Sequence, residues 1–236
     1  MSNPDRIVIQ ASIADAGHFT DEQRKKIIAS YPVHEREARV SGIPAFGSGR
    51  VFQIDEEFIQ IEAFAIPPHW PEIGGLDFGW DHPGAAVKLA WDRDSDVLFV
   101  TNAYRAREET PVVFSAAVKP WGTHLKWAWP HDGLQHDKGS GVQLAHQYRD
   151  HGLNMIPEKA TFSDGSYGLE AGVMEMADRM QTGRLKLFKH LGLWFQEFRL
   201  DHRSSKPGQE GRIVKQRDDL MSATRYAMMM RRFATV

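Results

Sequence analysis

Ile73-Gly74-Gly75-Leu76-Asp77-Phe78-Gly79-Trp80 is the stretch on which the fold turns. It is an apolar, strand-like run that carries a single acid among glycines. Two more runs of the same kind follow at 85–91 and 97–103. Between them, 92–96 is short and polar enough for a tight hairpin. Three such runs in succession predict an antiparallel meander. Downstream the pattern alternates: helix 111–119, strand 125–129, helix 141–151, short strand 154–157, helix 167–181, strand 185–188, helix 191–200 and a last helix 218–233. A meander followed by alternating helices and strands predicts a mixed sheet with helices on both faces. No internal repeat is visible.

Upstream of residue 71 the character differs. Thr20-Asp21-Glu22-Gln23 has the pattern of a capping box and starts a charged helix through about Val40. Ile27, Ile28 and Tyr31 give it a thin apolar stripe. The glycine-rich 41–49 lacks the Lys-Ser/Thr ending of a phosphate-binding loop and reads as a connector. Pro67, Pro68 and Pro71 mark a boundary, so 1–70 is expected to be an extension or linker and 71–236 the main domain.

Three acids are placed at element ends. Asp77 and Asp132, the latter in Trp129-Pro130-His131-Asp132-Gly133, follow apolar runs, and Asp219 opens the last helix. Each has a plainer reading. Asp77 suits a turn, Asp132-Gly133 is a common turn dipeptide, and Asp218-Asp219 can cap a helix and favour its dipole. Helical periodicity separates the last two. Asp219 shares a face with Ala223, Tyr226, Ala227 and Met230, an apolar stripe, and so points inward. Asp218 falls with Ser222, Arg225 and Met229 on a more polar face. Carboxylates that converge at a sheet edge suit Mg²⁺ or Mn²⁺, hard cations that prefer oxygen. Such a cluster is a kit for metal-assisted phosphodiester hydrolysis.

In order along the chain, these segments resemble the C-terminal nuclease half of the large terminase subunit of tailed bacteriophages. The resemblance is carried by Gly75-Leu76-Asp77-Phe78-Gly79 with its following hairpin, by Pro130-His131-Asp132-Gly133, by Arg184-Leu185-Lys186-Leu187-Phe188, and by Lys215-Gln216-Arg217-Asp218-Asp219-Leu220-Met221-Ser222-Ala223. Tyr31-Pro32, Glu35, Arg39 and Gly42-Ile43-Pro44 resemble the family's stretch between ATPase and nuclease. The resemblance covers nearly the whole chain. It implies an α/β, ribonuclease H-like mixed sheet flanked by helices. It also implies two divalent metal ions, Mg²⁺ or Mn²⁺, held by Asp77, Asp132 and Asp219 with Asp218 nearby. Many relatives end Asp-His-x-x-Asp-Ala; here Asp219 stands at the His position and Ser222 at the later Asp. Other relatives carry an Asp-Asp pair like this one. The partners implied are double-stranded DNA, the ATPase half, the small terminase subunit and the portal, in the host cytoplasm. No Gly-x-x-x-x-Gly-Lys-Ser/Thr occurs, so no ATP hydrolysis is expected of this chain. The chain is thus expected to be a fragment, or the product of a system with separate motor and nuclease genes.

Net charge is −2, so any nucleic-acid surface must be local. Residues 184–217 hold nine Lys or Arg against three acids. Such runs are often only solvated faces, but this one leads directly to Asp218-Asp219. Arg203, Lys206, Arg212, Lys215 and Arg217 are its DNA-binding candidates. His82, His131 and His136 lie near the acidic stations and are candidates to touch the metals or their waters. Trp127 and Trp129 sit in a strand and read as core. The absence of cysteine excludes disulfides and thiol catalysis and fits a reducing cytosol. The N-terminus has no apolar signal segment and no run is long enough to span a bilayer, so no membrane partner is expected. Two rivals remain: a resolvase- or transposase-like nuclease, which would prefer branched or specific DNA, and a non-catalytic module that docks a packaging motor on DNA or portal without metal.

Overall fold

The computed structural model describes residues 19–30, 40, 49–135, 142–204, 212–214 and 218–236. By packing, the chain divides into two compact units. One is Met1–Gln53 with Arg199–Val214, the other Ile54–Phe198 with Lys215–Val236.

In the first unit, helix α1 spans Asp21–Ser30. Its start is a reciprocal capping box. The Thr20 amide donates to Gln23 Oε1 at 2.9 Å and the Gln23 amide donates to Thr20 Oγ1 at 3.3 Å. The expected continuation to Val40 lies outside the described residues, except that Val40 itself is helical. Arg203 bridges Ile213 in antiparallel fashion, as in a hairpin, and the Ser204 amide donates to the Arg212 carbonyl at 2.7 Å. Residues 205–211 lie outside the described set.

The second unit is built on a sheet that has seven strands among the described residues. They are β1 (Gln60–Ile61), β2 (Glu72–Asp77), β3 (Gly84–Asp92), β4 (Val97–Ala106), β5 (Lys126–Ala128), β6 (Asn154–Met155) and β7 (Leu185–Phe188), in the order β1-β7-β4-β3-β2-β5-β6. β3 is antiparallel to β2 and β4, and the remaining pairs are parallel. The meander is therefore β2-β3-β4, and β5 and β6 extend it on one side, β7 and β1 on the other. Residues 54–70, assigned to the connector by sequence, supply helix α2 (Glu56–Ile59) and the edge strand β1 within this unit.

Strand ends have local causes. β2 stops at Asp77 rather than near residue 80 because the chain turns sharply at Gly79. A Cβ there would lie 2.4 Å from the carbonyl oxygens of both His82 and Pro83. The β3–β4 hairpin closes on Asp92. Its carboxylate accepts from the Asp94 amide at 3.1 Å and from Ser95 Oγ at 2.5 Å, and Asp96 takes the left-handed conformation at φ 53°.

Helices cover both faces. α3 (Pro111–Val118) begins with Pro at its first position, where no amide proton is needed. With α4 (Leu144–Asp150) it packs Phe114, Val118, Ala145 and Tyr148 against Leu76, Ala86 and Trp127. Trp127 and Trp129 are core, as expected, and Trp129 Nε1 donates to the Ile156 carbonyl at 2.7 Å. On the other face lies α7 (Asp219–Met229), packed across β2, β3 and β4 and covered by α5 (Leu169–Gln181). α6 (Gly192–Leu200) lends Trp194, whose Nε1 donates to buried Thr224 at 2.9 Å. No helix among the described residues is long and apolar enough to cross a membrane.

Candidate active site

Strand alternation places Asp77. Successive side chains of β2 point to opposite faces. Gly74 and Leu76 share the Trp127 face, and a Cβ on Gly74 would meet the Trp127 ring at 2.3 Å. Gly75 and Asp77 therefore face α7. A Cβ on Gly75 would lie 2.2 Å from the Ala223 carbonyl oxygen and 2.8 Å from Ala227 Cβ. The Gly74-Gly75 pair is thus not a turn. It is a thin place in the strand, pressed by a tryptophan on one side and a helix backbone on the other. From Gly75 to Asp77 the strand advances about 6.6 Å. From Ala223 back to Asp219 the helix advances about 6 Å. The two steps match, so the tight contact at Gly75 sets Asp77 opposite the first residue of α7.

The other acids arrive by the sheet. β5 runs parallel to β2, with Gly75 beside Ala128, so both strands end at the same edge. Just beyond β5, a 3-10 turn over His131–Leu134 carries Asp132. Gly133 there fits tightly, since a Cβ would lie 2.5 Å from the Trp129 ring and 2.8 Å from Phe78. Asp132 is exposed, Asp77 and Asp218 are half-buried, and Asp219 is 5% exposed. Asp218 occupies the N-cap position without a side-chain capping bond.

Electrostatics shows that these groups share one field. The Asp77 carboxyl is held well above the ordinary carboxylate range, first by burial, then by the negative charges of Asp219 and Asp218, with Asp132 adding to them. Arg225 opposes the shift. Burial also raises Asp219, against the pull of His82. His82 Nδ1 lies 3.3 Å from Asp219 Oδ1 and 3.2 Å from the Pro83 carbonyl oxygen. Both neighbours accept, so this nitrogen carries the proton. Asp219 Oδ2 is buried with no hydrogen-bond partner among the described residues.

All four acids offer oxygen donors of the kind Mg²⁺ and Mn²⁺ prefer, and the orphaned Asp219 oxygen is a ligand atom without a rival claim. The donor set therefore fits a divalent ion. As the side chains stand, no three His, Asp or Glu among the described residues are gathered closely enough to hold one.

The residues that support α7 were not anticipated. Glu197 of α6 is fully buried, accepts from Arg105 Nη1 at 2.5 Å and accepts from the Leu220 amide at 2.6 Å. It thereby caps the first turn of α7 from another helix, the task Asp218 leaves undone. Burial pushes its carboxyl up to about 7 in spite of Arg105. The expected polar face of the last helix is absent: Ser222, Arg225 and Met229 are all buried. The reason is α5, where Gly172 lets the Arg225 side chain lie across the helix, a Cβ there being 2.5 Å from Arg225 Cδ. Arg225 in turn sits 4.4 Å over the Tyr226 ring. Burial and the charge of Asp77 push the Tyr226 hydroxyl up to about 12. Of the histidines, His82 reaches Asp219, His131 binds Lys159, and His136 lies outside the described residues. Lys206, Lys215 and Arg217 also lie outside them; Arg203 and Arg212 belong to the first unit.

Raised carboxyls give a stability prediction. Asp77, Asp219 and Glu197 bind protons more tightly folded than unfolded. The stabilisation they provide is complete below the unfolded value of about 4 and is lost as pH rises through the folded values. Glu197 places the upper part of that window near 7. In EDTA, the melting temperature is therefore expected to rise as pH falls from about 8 to about 5, followed by circular dichroism. A flat or opposite profile would mean that the acids are not crowded.

A family model described as the terminase RNaseH-like domain matches residues 74–231. The large terminase subunit of Salmonella phage P22 is 49% identical over 236 residues, which cover 99% of this chain and 46% of that one. That of Enterobacteria phage LP7 is 48% identical, covering 98% and 48%. The chain thus spans about half the length of the curated relatives it matches. Among solved structures, the P22 large terminase nuclease domain is 48% identical at a TM-score of 0.73, covering 80% of this chain and 95% of that one. The large terminase of a thermophilic bacteriophage, at 14% identity, shares the fold at a TM-score of 0.60, covering 92% and 54%. So does the bacteriophage SPP1 large terminase nuclease domain with bound Mn, at 17% identity and 0.55, covering 73% and 95%.

Proposed function

We propose a function for this chain from one premise: it belongs to the terminase RNase H-like domain family, and its sheet is of the ribonuclease H-like kind. It is a metal-dependent endonuclease that cuts double-stranded DNA during viral genome packaging, with little sequence preference. The observation that carries this reading is the field at Asp77, where three further acids, from the end of β5 and the start of α7, act on the carboxyl that ends β2. Asp77, Asp132 and Asp219 would hold two divalent ions, Mg²⁺ or Mn²⁺, with Asp218 as an auxiliary donor. When bound, the ions would position and deprotonate an attacking water and stabilise the leaving 3′ oxygen.

The protein's own contribution is placement. Gly75 sets the depth of α7 against β2, Glu197 fixes its first turn, and His82 orients Asp219 through Oδ1, leaving Oδ2 free to coordinate. Because burial and neighbouring charge raise the Asp77 and Asp219 carboxyls, protons compete with a cation for them, so ion binding should strengthen as pH rises. Arg203, Lys206, Arg212, Lys215 and Arg217 would hold the DNA backbone, and 1–70 would serve as the connector to the ATPase half. The small terminase subunit and the portal would be the further partners, in the host cytoplasm.

The test is digestion of supercoiled plasmid with Mg²⁺, Mn²⁺, Ca²⁺ or EDTA. Nicking and linearisation are expected with Mn²⁺ or Mg²⁺ and none with EDTA, with no ATP consumed above a blank. Cutting in EDTA, or none with any metal, would overturn the reading.

A further inference from the structure

Lys159 is held in place beside Asp132. The Ala160 amide donates to the Trp129 carbonyl at 2.7 Å, which pins the Lys159 segment against the end of β5. Lys159 Nζ lies 2.8 Å from Nδ1 of His131, the residue before Asp132, and 4.4 Å over the Tyr167 ring. An ammonium only donates, so Nδ1 accepts and the ring proton sits on Nε2, where it is available as a second donor.

Neither partner neutralises the charge. Arg232, close by in the chain's last turn, is paired with Glu158 at 3.1 Å, and Arg231 with Glu175 at 2.9 Å. Lys159 has no ion pair among the described residues. A cation fixed by a neutral ring and an aromatic face, with N–H groups to spare, is ready for an anion. Immediately beside it stands a cluster of acids that would repel a DNA phosphate. A local positive charge is what would let a backbone approach this edge.

We infer that Lys159 and His131 form a phosphate subsite that grips a DNA backbone phosphate next to the one cut at Asp132 and Asp77. This rests on the nuclease reading and extends it, because the subsite lies outside the basic 203–217 segment. Lys159 contributes charge and His131 Nε2–H a second hydrogen bond, so the pair positions the strand and does not itself enter the chemistry.

The experiment measures binding of a fluorescent DNA duplex to the whole chain in Ca²⁺ across a salt series, with plasmid nicking in Mn²⁺ alongside. Lys159→Gln is expected to weaken binding about tenfold at low salt, as for one lost charge-assisted hydrogen bond. Its log–log salt slope should flatten by about 0.9, one phosphate's worth. Lys159→Arg should restore both. His131→Phe should weaken binding less, in the same direction. Arg93→Gln, which removes a charge from the hairpin at the opposite end of the sheet, should change neither. In nicking, Lys159→Gln should raise KM more than it lowers kcat. Wild-type affinity and slope in Lys159→Gln, or an equal loss in Arg93→Gln, would overturn the subsite while a cutting wild type keeps the nuclease reading intact. A wild type that fails to bind the duplex would overturn both.

Discussion

Asp77→Asn is expected to slow plasmid nicking by about a thousandfold while leaving the circular-dichroism spectrum unchanged. A metal centre supplies several kcal/mol of charge stabilisation, and each ~1.4 kcal/mol is tenfold in rate. Asp77 stands at the middle of the field, acted on by Asp219, Asp218 and Asp132. Asparagine keeps the shape and one oxygen but removes the charge an ion requires. It also relieves repulsion, so the variant should melt no lower than wild type in EDTA at pH 7, where burial works against the Asp77 carboxylate. Nicking within tenfold of wild type would remove Asp77 from the site.

Gly75→Val should be the most damaging single change to the fold of the site. The added side chain meets the Ala223 carbonyl at 2.2 Å, and backbone cannot swing away as a flexible side chain would. α7 must lift from β2, and Asp219 moves with it. Overpacking of this kind costs about 1–3 kcal/mol. At the upper end that is roughly 6–12 °C in melting temperature for a domain of this size. Nicking should fall together with stability, since the Asp77–Asp219 spacing depends on the same contact. A Gly75→Val protein that melts and cuts like wild type would contradict the packing of α7 on β2.

Local chemistry made much of this fold legible. Alternating apolar runs gave the meander, Asp92 gave the hairpin, and Thr20 with Gln23 gave the helix start. The inward direction of Asp219 followed from helical periodicity, because 219, 223 and 227 lie along one stripe. What sequence could not give depends on which elements meet. Asp77, set among glycines, suited a turn because a glycine's neighbours are invisible until Trp127 and Ala223 are in place. Ser222, Arg225 and Met229 read only as a more polar face because nothing local announces that α5 covers them. Glu197 and Arg105 are 92 positions apart, and their pairing at the first turn of α7 is purely tertiary. Lys159 likewise gains meaning only beside His131, 28 positions earlier. A signal did exist for Glu197: it is the lone acid in the largely apolar helix Gly192–Leu200, and an acid so placed needs a partner.

The most direct measurement is a count of bound Mn²⁺ by electron paramagnetic resonance titration of the wild-type chain and of Asp77→Asn and Asp219→Asn, at pH 7.5 without DNA. Two ions per wild-type chain are expected, with at least one lost or strongly weakened in each variant. A wild-type chain that binds no Mn²⁺, or variants that bind it as wild type does, would contradict a metal centre formed by the carboxylates at the ends of β2, β5 and the start of α7.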